Sequence, residues 1–176
     1  MPLVVLLRGV NVGGHRRCRP SLLAAQLKDL DAVSIGAAGT LVIRRAVTRT
    51  KLRAELARRL PFETEIVVCD GRDVLRLMSE DPFAGQPYRA GVVRFVSVLS
   101  KRPRAAPLLP IVLPATGRWL LKILARDNRF VFGVHRRDMK VIGYLGSLDR
   151  IFGAPATTRN WNTIAAIGRV LRLETN

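Results

Sequence analysis

Apolar positions recur from Val4 to Leu173 with no long polar tract between them, a pattern that predicts a packed interior rather than disorder. Their spacing switches repeatedly between the period of a strand and that of a helix. The run Leu3–Leu7 is uninterrupted and rich in β-branched residues, as expected of a strand buried on both faces. A glycine-rich basic loop, residues 8–19, follows it. Pro20 suits the first turn of a helix, and Leu22, Leu23, Ala25, Leu27 and Leu30 then fall near one face. Residues 33–35 and 41–43 read as short strands joined through Gly36 and Gly39. Thr48 is placed to cap a helix burying Leu52, Leu56 and Leu60. Pro61 lies beyond that helix, and residues 65–69 make the next strand.

The order strand, helix, strand, strand, helix, strand is the split βαβ arrangement of a ferredoxin-like unit. A linking helix over 72–79 ends at the turn Asp81-Pro82-Phe83, and Val92–Leu99 is a strong strand. Pro103, Pro107, Pro110 and Pro114 allow only a short helix after it, because proline lacks the backbone donor. Residues 119–124 and 130–134 read as a hairpin around Asp127-Asn128. Leu148–Phe152 suggests a short helix and Ala156-Thr157 a short strand end. A final helix from about Trp161 to Leu173 carries Ile164, Ile167, Val170 and Leu171 on one face. The second half thus reads as a degraded copy of the first. The expectation is an α+β fold of two ferredoxin-like lobes: residues 1–80 form the first with the linking helix, and 81–176 the second with the final helix.

Composition changes this picture mainly through charge. The 176 residues, 48% of them hydrophobic, suffice for one large domain or two small lobes. A net charge of +17 attracts phosphate polyanions and acidic surfaces, although a GC-rich coding genome would also enrich arginine. Cys18 and Cys69 show no Cys-x-x-Cys spacing, so neither a disulfide framework nor a zinc site is expected. The Leu3–Leu7 run is too short for a signal peptide and is stopped by Arg8, and the apolar stretch 108–113 is broken by Pro110. These features predict a cytoplasmic protein with no membrane span, no metal and no cofactor.

Two stretches have the character of signatures. One is Leu6-Leu7-Arg8-Gly9-Val10-Asn11-Val12-Gly13-Gly14, and the other is Ala156-Thr157-Thr158-Arg159-Asn160-Trp161-Asn162-Thr163. Together with the order of elements between them, they resemble the bacterial family called domain of unknown function 1697. The resemblance implies an α+β fold of ferredoxin-like halves and supplies no accepted substrate or catalytic residue. The chain departs from the family pattern twice: Ala38-Gly39-Thr40 stands where Ser-Gly-Asn is usual, and Ser147-Leu148 where Ser-Lys is common.

The first signature joins a strand to a helix through glycines, a geometry that leaves backbone N–H groups free to cradle an anion. Arg8, Asn11, Gly13, Gly14, Arg16 and Arg17 are its candidate ligand residues. No P-loop or Rossmann spacing accompanies them. The same glycines could simply permit tight turning, with Asn11 bonding the loop to itself. In the second signature, Thr158 or Asn160 could cap the last helix. Alternatively Arg159, Asn160 and Asn162 could surround an anion, with Trp161 as a stacking platform.

On the helix over 48–60, Arg49 and Arg53 are spaced i, i+4, so they share a face that could track a phosphate backbone or merely be solvated. His15, amid basic neighbours, would have lowered proton affinity and suit a neutral base. The acids Asp70 and Asp73, or Glu80 and Asp81, are of the kind found on any surface. Three readings follow: a binder of phosphate-rich ligands, nucleic acid ahead of a small phosphate ester; an enzyme acting on a small anionic substrate; and a protein-interaction module without chemistry.

Overall fold

The structure, a computed structural model, describes residues 1–104 and 106–173. It is an α+β protein with two antiparallel sheets. Its packing separates two units: Met1–Glu80 with the chain from Thr163 onward, and Asp81–Asn162.

The first unit runs β1 (Leu3–Leu7), α1 (Pro20–Gln26), a 3-10 turn (Lys28–Leu30), β2 (Ala32–Ile35), β3 (Thr40–Ile43), α2 (Arg49–Arg59), β4 (Ile66–Asp70) and α3 (Gly71–Ser79). Its sheet has the order β2-β3-β1-β4, with every pairing antiparallel. The central β1 is buried at all of its positions, which is why it reads as an unbroken apolar run. Leu3, Val5 and Leu7 project into a core with Leu23, Leu41, Ile43, Leu52, Leu56 and Val68. Thr48 caps α2 by accepting from the Lys51 N–H. The turn into β3 needs glycine. Gly39 has φ +74°, and a Cβ there would sit 2.9 Å from the Leu7 side chain.

The second unit contains β5 (Val92–Leu99), β6 (Ile111–Leu113), β7 (Leu121–Asp127), β8 (Phe130–Arg136), α4 (Val141–Gly146), α5 (Leu148–Phe152) and β9 (Ala156–Asn160). Its antiparallel sheet has the order β6-β7-β8-β5-β9. Between β5 and β7 the described residues hold no helix. The prolines remove the donors a helix needs, and β6 extends the sheet edge instead. Phe95, Leu99, Leu121, Ile123, Val131, Leu148 and Phe152 build the core. Gly133 makes room for it, since a Cβ would fall 2.3 Å from the Lys122 carbonyl oxygen and 2.4 Å from Phe95 Cζ.

The last helix, α6 (Trp161–Arg172), departs directly from β9. From Thr163 it groups with the first eighty residues rather than with the strands before it. Its apolar face shows why. Ile164, Ile167, Gly168 and Leu171 are buried, and Gly168 lies so close to Met78 of α3 that an added Cβ would fall 2.2 Å from the sulfur. Gly71 approaches Leu171 in the same way. The expected sequence pattern of this helix holds, but period alone does not say which element covers the face.

Candidate functional site

The glycine-rich loop is locked by Asn11. In the left-handed region with φ 58°, this residue donates from Nδ2 to the carbonyls of Cys18 (2.8 Å) and Ala37 (2.6 Å). Its Oδ1 accepts from the Cys18 N–H at 2.9 Å, and its own N–H donates to Arg16 O at 3.2 Å. The amide is thus committed to three backbone groups, two across the loop and one in the following turn. Arg16 and the glycines Gly13 and Gly14 also have positive φ, and Arg17 Nε donates to Gly14 O. The Arg8 backbone is tied to residues 64–65, with its N–H donating to Glu65 O and its carbonyl accepting from Thr64 Oγ1.

A shallow recess of about 450 Å³ lies against Asn11, Gly14, Arg17, Cys18 and Arg19. The helix it leads to has only seven residues and no side-chain cap. Burial pushes the Cys18 thiol above its ordinary value, which leaves it a poor nucleophile at neutral pH.

In the second signature Thr158 does not cap the last helix, and Asn160 is the residue immediately before it. Strand β9 continues through Asn160, so Thr158 lies in the sheet and shares a hydrogen bond with Ser97 Oγ at 2.6 Å. Arg159 is buried, with Nη1 donating to Thr158 O. Desolvation pulls its guanidinium down to about 10, still cationic at neutral pH. Asn160 ends the strand opposite Phe95. Trp161 is half-buried and meets Phe83 edge-on, centroids 5.1 Å apart at 76°. Asn162 is exposed. The first signature falls in one unit, and the second, through Asn162, in the other.

The basic face of α2 is occupied within its own unit. Arg49 donates to Val68 O and pairs with Asp70 at 2.7 Å, while Arg53 donates to Ile66 O. Both cover the carbonyls of β4, an edge strand that would otherwise present open acceptors. Arg58 and Arg59 pair with Glu55, and Arg44 with Asp31. These arginines are not a row free to track phosphates.

A different cationic surface lies in the second unit. Lys122 on β7, Val134 on β8 and Arg94 on β5 are register partners in turn, and Val92 is the partner of Arg136. All five project from one face of the sheet, with Lys122 and Arg94 separated by two strand spacings, roughly 10 Å. Here the sheet forms a recess of about 130 Å³, floored by Val92 and Val134 and edged by Arg89, Arg94, Trp119 and Lys122. Lys122 Nζ sits 4.6 Å from the Trp119 ring centroid and Arg136 Cζ 4.2 Å from it. Arg136 Nε also donates to Trp119 O at 2.9 Å. Arg94 donates to Gln86 O and lies 5.4 Å from the centroid of Phe83.

A second recess, about 300 Å³, adjoins Arg137, Asn160, Trp161 and Asn162, and shares Tyr88, Val92 and Arg94 with the first. Neither lining contains a carboxylate, imidazole or thiol. Among the described residues, Arg89, Arg94, Lys122, Arg136 and Arg137 take part in no ion pair. Carbonyl dipoles and π-faces meet the charge of Arg94, Lys122 and Arg136. Sequence reasoning reached Asn160, Trp161 and Asn162, and Arg136 within the basic stretch 126–140, but missed Tyr88, Arg94, Trp119 and Lys122. A detectable signal was a lone cation inside an apolar strand: Arg94 in Val92–Leu99 and Lys122 between Leu121 and Ile123.

The described residues contain no group of three potential metal ligands, and none of their helices is long and apolar enough to cross a membrane. The family model described as "Protein of unknown function (DUF1697)" matches residues 1–118. No curated protein matches the sequence. Among solved structures, the conserved bacterial protein SP0830 from Streptococcus pneumoniae is similar with a TM-score of 0.62 and 14% identity, over 97% of this chain and 98% of that one. At that identity the likeness concerns the fold.

Proposed function

The chain belongs to the domain of unknown function 1697 family, and from that premise we propose that it binds phosphate-rich ligands, nucleic acid foremost, through the cationic recess of its second unit. We also read both units as ferredoxin-like. With β6 set aside, the order β7-β8-β5-β9 repeats the positions of β2-β3-β1-β4, second, third, first and last.

One observation carries the functional reading: five cations in and beside two adjoining recesses, none of them ion-paired among the described residues. Cations left unneutralised on one concave patch focus positive potential where a polyanion would release its counterions on binding. This patch takes over from the residues 8–17 proposed on sequence, whose side chains serve the loop at Asn11 and Arg17. Asn160, Trp161 and Asn162 remain part of the proposed site.

The enzyme reading has less support, because acid–base work needs a titratable group near neutrality and the lining offers none. The test is anisotropy of a labelled oligonucleotide across a salt series, comparing wild type, the double variant R94A/K122A and R72A, which removes an exposed charge from α3. Affinity in the double variant should fall and its salt slope flatten by about two, roughly one per lost phosphate contact. R72A should retain the wild-type slope at the site. Equal behaviour of both variants would contradict the proposal.

A further inference from the structure

Resting on that reading of the recess as a polyanion site, we infer that the favoured ligand is a single-stranded nucleic acid with a base stacked on Tyr88. Tyr88 is 79% exposed and has no ring contact or hydrogen bond among the described residues. An aromatic ring left so open departs from the ordinary fate of such residues, which bury their faces. It stands at the seam of the two recesses, lining both, with Arg89 adjacent in the chain and Arg94 beside it in both linings.

The other rings near the site are already engaged. The Trp119 face is taken by Lys122 and Arg136, and Phe83 is buried between Arg94 and Trp161. Trp119 and Phe83 therefore hold the cations in place, and Tyr88 supplies the open π-face. Stacking on an aromatic ring requires a base whose own face is accessible, and a duplex hides those faces in its stack. Cations flanking the ring would meet the phosphates on either side of the stacked base. A polyacid such as polyglutamate offers the charge but no planar partner for the ring.

The experiment uses the full chain, wild type and the variants Y88A, Y88F and Y88W, with four probes: an oligothymidylate, a duplex of equal length, inorganic polyphosphate and polyglutamate. Wild type should prefer the single strand to the duplex at fixed salt. Y88A should weaken oligothymidylate binding about tenfold and shift polyphosphate competition far less. Y88F should restore binding, because the ring rather than the hydroxyl does the stacking. In Y88W, the new indole should be quenched by oligothymidylate and not by polyphosphate.

Equal losses for oligothymidylate and polyphosphate in Y88A, or duplex bound as tightly as single strand, would overturn the stacking inference while leaving the polyanion site intact. Polyglutamate competing as well as oligothymidylate would do the same. Failure of wild type to bind either phosphate polymer would overturn both the inference and the proposal beneath it.

Discussion

Asn11 shows how a residue that looks like a ligand at the sequence level can be a structural device. A neutral polar side chain in a cationic glycine loop invites a binding role, yet its amide is spent on Cys18 and Ala37. Its left-handed backbone is one that Asn tolerates better than most residues. Replacing it with alanine leaves backbone groups to find water and adds strain. Asn11→Ala should therefore lose about 1–3 kcal/mol in a urea titration. The same variant should bind oligonucleotide like wild type once folded. Arg159 carries the same lesson from the other side. In the sequence it is one more surface cation, but it pairs with Val96 on the sheet face opposite Phe95 and Leu99, where it is buried and its proton affinity falls. Period-2 alternation would have placed it beside Thr157 on one face had β9 been expected to continue past Thr157, but not shown that this face is covered.

At the scale of elements, the apolar pattern specified the first six strands and helices in their observed order. Continuous apolar runs, a proline at N1 and a threonine cap each have a local cause. What the pattern could not supply was the partner of each polar face. Arg49 and Arg53 share a side of α2, but only the sheet order shows that β4 is an edge whose carbonyls they cover. The ion pairs of this unit have a pH signature. The hydrogen bond from Arg59, with Arg58 nearby, holds the Glu55 carboxyl below its ordinary 4.5, and the bond from Arg44 holds Asp31 below 3.8. A carboxylate with a lowered folded pKa stabilises the fold above its unfolded value, and that contribution disappears as pH falls through the folded one. Stability measured by denaturant between pH 5 and pH 2 should therefore decline with acid. The decline should be shallower in Glu55→Gln, and a slope unaltered by that substitution would contradict this account. Both groups remain partly open to solvent, so the effect should also shrink in high salt.

At the scale of the whole molecule, net charge said that a polyanion is attracted and did not say where. The first unit consumes much of its arginine internally, on Asp31, Glu55, Asp70 and the β4 carbonyls. The second gathers cations from β5, β7 and β8, and a search for basic runs reaches Arg136 but not Arg94 and Lys122, which stand alone among apolar residues. Its aromatic members, Tyr88, Trp119 and Trp161, are likewise brought together by sheet register and by the segment before β5. A chain-wide aromatic share of 6% concealed this local concentration.

The central claim is therefore one of location, and amide and indole chemical-shift mapping tests it most directly. Titrating the isotope-labelled protein with a single-stranded oligonucleotide near physiological salt should shift the Trp119 and Trp161 indoles and the backbone around Val92, Arg94, Lys122 and Arg137. Residues 8–19 should stay near their free positions. Shifts concentrated in that glycine-rich loop, with the two indoles unmoved, would contradict the account and return the site to the first signature.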